Sequence, residues 1–138
     1  AINDYAFGYP SSENRFAGLK DHVDIMMTHG PPKNILDACP SGNVGCDHLL
    51  AALNRVKPLL HCFGHIHEGH GARTIGWNDE ADAENYQMVT RPADIDKTER
   101  WHTVRGSEKS NETLAVNAAI QGENGEFCNA PWLVYLPL

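Results

Sequence analysis

Leu59-Leu60-His61-Cys62-Phe63-Gly64-His65-Ile66-His67-Glu68-Gly69 is the stretch on which the fold turns. An apolar run rich in strand formers leads straight into a glycine and two alternating histidines, so a buried strand should end in a histidine-bearing loop. Upstream, Val23-Asp24-Ile25-Met26-Met27 is a second short strand candidate. It stops at Thr28-His29-Gly30-Pro31-Pro32, because successive prolines withhold the ladder donors a strand needs. Residues 33–45 read as a loop punctuated by Asn34, Asp37, Pro40, Gly42 and Gly45. From Cys46 to Lys57 the residues Leu49, Leu50, Leu53 and Val56 recur at helical spacing, and Pro58 closes that helix. Strand, loop, helix and strand in that order make a βαβ crossover, which sets the class as α/β. Both histidine loops then lie at strand C-termini, where such sheets bind ligands.

Further out the signals thin. Residues 1–20 are polar and turn-rich, with Gly8-Tyr9-Pro10 and Ser11-Ser12 as breakers. Residues 77–112 are mostly polar and charged and read as a long surface insertion. Two more strand candidates follow, at 114–119 and 132–136. A length of 138 residues suits one domain, and 41% hydrophobic residues allow a real core. The net charge of -7, spread along the chain, argues against a nucleic-acid duplex or an anionic membrane surface as partner. No apolar run approaches the ~20 residues of a membrane span, and no basic-then-apolar leader is visible, which favours a cytoplasmic location. Cys39 and Cys46 flank a turn and could pair; four reduced thiols, with Cys62 buried in its strand, is the preferred reading.

The histidines carry the chemistry. Neutral imidazoles suit manganese, iron or zinc alike. Alternating His65 and His67 would project to opposite faces of an extended segment, but a turn after Gly64 would let each reach a different ion of a metal pair. His29, at the end of the neighbouring strand, could reach the same pocket. His61 reads as a satisfied core residue, His22, His48 and His102 as surface residues, and His70 as a possible pocket liner. An isolated HxH is a weak signal. Cupins place a glutamate three or four residues after theirs, whereas Glu68 follows at once; histidine-triad hydrolases need a third alternating histidine where Gly69 stands.

Taken in order, the His29-Gly30-Pro31-Pro32 loop, the helix after Gly45-Cys46 and the Phe63-Gly64-His65-Ile66-His67-Glu68-Gly69 loop resemble the calcineurin-like metallophosphoesterases. Ala6-Phe7-Gly8-Tyr9-Pro10, Val116-Asn117-Ala118-Ala119 and Pro131-Trp132-Leu133-Val134-Tyr135-Leu136 are similar to the metallophosphoesterase-domain branch with mammalian brain and fungal members. The resemblance implies the C-terminal half of a four-layer α/β/β/α sandwich, one partial domain over 1–138. It implies two divalent ions (Mn, Fe or Zn) about 3.5–4 Å apart, bridged by a hydroxide that attacks a phosphodiester or nucleotide. His29 and His65 would bind one ion and His67 the other; Gly30, Pro31 and Pro32 would shape the pocket wall, with His70 beside the substrate. The family's DxH, GDxxD and GNH[DE] motifs are not in this sequence. The bridging aspartate and the catalytic acid are therefore expected in a missing N-terminal half, and the chain alone should be inactive. A catalytically silent metal-binding or structural module, and a single structural zinc closed by a cysteine, are the alternatives.

Overall fold

The computed structural model describes residues 8–78, 88–97 and 100–137. Its centre is a five-stranded sheet in the order β1 (Ile25–Met27), β4 (Leu60–Phe63), β9 (Glu112–Asn117), β5 (Gly71–Trp77) and β6 (Met88–Pro92). β1, β4 and β9 run parallel, in the register Met26↔His61↔Ala115, while β5 is antiparallel to both β9 and β6. Between β1 and β4 come a small hairpin, β2 (Ala38–Cys39) with β3 (Gly42–Asn43), and the single helix α1 (Asp47–Val56). The crossover read from sequence is thus present, and the loop at 33–45 contains a hairpin.

α1 starts where Cys46 caps it, its Sγ accepting the Leu49 N–H at 3.4 Å. It stops one residue before Pro58, at Lys57, which adopts a left-handed φ of 48° and returns its N–H to the Leu53 carbonyl. Leu49, Leu50 and Leu53 bury one helix face against Met26, Phe63, Ile75, Trp77 and Ala115 of the sheet. A fully buried side chain of this size contributes about 1.5–3 kcal/mol, so this face is the main anchor of α1. On the opposite face, Leu60, Ala72, Leu114 and Val116 pack on a three-stranded sheet ordered β10 (Trp132–Tyr135), β8 (His102–Arg105) and β7 (Ile95–Asp96). Val104, Trp132 and Val134 supply that second core. The result is a mixed α/β arrangement, mostly strand, in three layers: helix, sheet, sheet.

The reading of 77–112 as a surface insertion needs correction for its described residues. It holds β6, β7, β8 and the start of β9, and Val104 is a core residue with 1% exposure. Residues 79–87 and 98–99 of that stretch lie outside the described residues. The polarity that suggested a loop belongs to strands with one solvated side: β6 has no buried residue, and Arg91 reaches over β5 to grip Glu112 with two bonds of 2.9 and 2.8 Å. The strands at 114–119 and 132–136 form nearly as expected. Cys62 is half-buried rather than buried, and the four cysteines are free thiols.

Candidate metal centre

The parallel pairing of β1 with β4 brings the two histidine loops side by side. The ladder continues past the strand ends, Thr28 N–H donating to Cys62 O at 3.1 Å and Gly64 N–H to His29 O at 3.0 Å. His29 and His65, 36 residues apart in sequence, meet with His29 Nε2 and His65 Nδ1 3.1 Å apart and ring centroids separated by 4.7 Å. Two imidazole nitrogens about 2.0–2.1 Å from one ion lie about 2.9–3.4 Å apart, depending on the coordination angle. The observed separation therefore fits two ligands of one metal.

The turn expected after Gly64 is centred on His65 itself. Ile66 N–H closes a three-residue ring onto Gly64 O at 2.8 Å, and His65 has a φ of 69°, the rare and strained form of such a turn. With that twist the His65 ring sits against His29. Desolvation lowers the pKa of His65, and His29 and His67 lower it further by charge repulsion, which favours the neutral ring.

His67 opens a short 3-10 turn, His67–Gly69. Its Nδ1 lies 3.1 Å from Gly122 O, and a carbonyl can only accept, so Nδ1 carries the proton. The neutral ring then offers its lone pair at Nε2, the arrangement a backbone carbonyl gives to metal-binding histidines. Among the described residues, no group of three or more His, Cys, Asp or Glu side chains converges on one ion position. The donors present fit a pair of ligands for one ion and a separate ligand for another, both short of a full set.

Behind His29, Thr28 Oγ1 donates to Gly30 O at 2.8 Å and lies 2.9 Å from His61 Nε2. The hydroxyl has one proton, so His61 must donate from Nε2, leaving Nδ1 bare and buried without a partner. His61 is fully buried, as expected of a core residue, and burial pushes its pKa down to about 3. Of the pocket-wall residues, Gly30 is half-buried beside His29. Pro31 is buried, and its carbonyl accepts Cys46 N–H at 3.0 Å, so it anchors the loop to α1.

His70 and His67 border one open cavity of about 360 Å³, which Glu68, Glu123, Glu126 and Asn129 also line. The His70 ring stacks near Trp132 and His102, with centroids at 5.3 and 5.6 Å. Its Nε2 is 3.1 Å from both Ala130 O and Trp132 Nε1, and one nitrogen can serve only one of the two at a time. His102 is thus a member of an aromatic cluster, not the surface residue its context suggested. Two features escaped the sequence reading: the 122–129 loop that forms the cavity wall, visible only as a Gly- and Asn-rich turn, and Asn117, whose carboxamide reaches the backbone between His65 and His67.

No family model matches the chain. It is, however, 45% identical over 85 residues to metallophosphoesterase domain-containing protein 1 of Homo sapiens, covering 56% of this chain. Over those 85 residues the chain is homologous to the metallophosphoesterase domain-containing proteins. A UPF0046 protein of Caenorhabditis elegans is 31% identical over 96 residues, or 62% of this chain. The chain spans only 26% of the human relative and 33% of the nematode one. A probable rhamnogalacturonate lyase C of Emericella nidulans is 41% identical over 76 residues, but these are 7% of that protein and say little of the rest.

Proposed function

We propose that the chain carries the C-terminal ligand set of a dinuclear metal-dependent phosphoesterase acting on phosphodiesters or nucleotides. The observation that supports this most is the 3.1 Å approach of His29 Nε2 to His65 Nδ1, made across two separate loops and at the expense of a strained His65 backbone. On this reading His29 and His65 hold one divalent ion (Mn, Fe or Zn) and His67, through Nε2, holds the other. Such ions supply Lewis-acid polarisation of a phosphate ester. The chain's own residues do the positioning: Gly122 O fixes the His67 tautomer, Thr28 and His61 brace the His29 loop, and His70 lines the cavity where the ester would sit. The remaining ligands, the bridging aspartate and the proton donor come from an N-terminal half of the same domain, which would complete an α/β/β/α sandwich.

Cobalt(II) is a spectroscopic probe of the site. The chain titrated with cobalt should develop visible absorption bands that His29→Ala and His65→Ala each abolish. The chain alone should hydrolyse bis(p-nitrophenyl) phosphate with manganese no faster than its His67→Ala variant. Cobalt spectra identical in wild type and both alanine variants would remove the metal reading.

A further inference from the structure

Asn117 ends β9 with no exposed surface, and its carboxamide is engaged entirely with backbone. Nδ2 donates to Ile66 O at 2.8 Å and to Leu36 O at 3.2 Å, and Oδ1 accepts Ala119 N–H at 3.0 Å. Ile66 is the residue between His65 and His67. Leu36 belongs to the loop that continues from His29 through its two prolines. Ala119 starts the segment leading to Gly122, whose carbonyl orients His67. One buried side chain therefore joins three segments, each of which carries or holds a histidine of the site.

The fit around this amide is close. Ile66 O also receives Gly69 N–H at 3.1 Å, so both its lone pairs are occupied. A Cβ at Gly69 would collide with Leu36 O and come within 2.8 Å of Asn117 Nδ2, so the 3-10 turn is pressed against the same group. Ala115, two residues earlier on the same side of β9, simply packs in the α1-facing core. A core residue at 117 would do the same with an apolar side chain; a carboxamide with both donors and its acceptor used specifies where three backbones lie.

We infer that Asn117 is the positioning residue of the ligand pair. By fixing Ile66 it sets the turn that sends His65 towards His29 and leaves His67 facing the second position. The inference rests on the metal reading above for its function, while its structural content can be read without metal.

The test compares wild type with Asn117→Ser and with Val116→Ala, a change on the opposite face of the same strand that loosens the core without touching the ligand loop. Asn117→Ser keeps a hydroxyl near Ala119 but cannot donate to both Leu36 and Ile66. Cobalt titration should show about tenfold or greater weakening in Asn117→Ser and wild-type affinity in Val116→Ala, whatever their melting temperatures. Imidazole proton–nitrogen spectra recorded without metal should show the His67 Nδ1–H tautomer and the His29–His65 contact in wild type and Val116→Ala. Both signatures should be lost in Asn117→Ser. If wild type binds no cobalt, the metal reading fails while the imidazole spectra still decide the positioning role. Unchanged histidine signals in Asn117→Ser would overturn the inference. So would outright unfolding of that variant alone, since Asn117 would then determine the fold and not the ligand pair.

Discussion

His65 holds a conformation that its side chain does not favour, with φ at 69°. A non-glycine residue in this region typically costs about 1–3 kcal/mol, and the benefit here is a ring set against His29. His65→Gly should relieve that strain, offset by about 0.5–1 kcal/mol of added backbone entropy, and leave stability in urea unchanged or slightly higher while cobalt binding disappears. A clear loss of stability would mean that the His29–His65 contact is a structural bond. His61 makes a second prediction at this scale. Its ring takes a proton near pH 6.5 when unfolded but only near 3 when folded, so between those values the unfolded chain binds the extra proton. Stability should therefore fall as pH drops through that window, by about 1.4 kcal/mol per unit from this group alone. His61→Gln keeps a donor for Thr28 and does not titrate. Its stability between about pH 6 and pH 4 should decline less steeply than wild type, by roughly one proton's worth. Equal slopes would show that His61 is not the buried base.

Among the elements, β1, α1, β4, β9 and β10 were legible because each has a plain period or a hard stop. Leu49, Leu50 and Leu53 mark a helix face, and Pro31-Pro32 ends β1. The strands β5 to β8 were not. Gly71-Ala72-Arg73-Thr74-Ile75-Gly76-Trp77 mixes glycine and charge, and the β6 and β8 strands show water one side, so neither gives the alternation of a well-covered strand. What holds β6 in place is specific: Arg91 forms two bonds to Glu112, whose side chain is 7% exposed. The Arg91 guanidinium beside it, helped by Ser107, pulls the Glu112 carboxyl down to about 2. A carboxylate depressed in the folded state adds stability above its unfolded pKa and loses it as pH falls towards 2. Arg91 is half exposed, so screening leaves about 1 kcal/mol at neutral pH. Arg91→Met should lower the thermal midpoint at pH 7, and the gap to wild type should narrow as pH approaches 2. A gap of constant size would assign the loss to packing.

At the scale of the whole molecule, the site was legible as a pair of loops and illegible as a geometry. His29 and His65 could be placed together because parallel strands put their C-termini at one edge, which a βαβ pattern already implies. The His65-centred turn, the Asn117 amide and the cavity wall at 122–129 depend on contacts between residues tens of positions apart, and no local pattern encodes them. The same edge carries the last consequence. β1 has a strand partner on one side only among the described residues, and its Ile25 and Met27 are 48% and 76% exposed. These side chains point to the face where Leu60 and Leu114 meet the second sheet, so the inter-sheet core runs out into solvent at β1. An uncovered apolar edge strand pairs readily with other chains. The 138-residue chain should therefore self-associate as concentration rises, seen as growing mass in size-exclusion chromatography with light scattering. Met27→Lys together with Ile25→Lys should keep it monomeric with little change in melting temperature, because neither side chain is buried in the core. Monomeric wild type at every concentration would show that β1 is already protected, and that the exposed Ile25 and Met27 do not drive association.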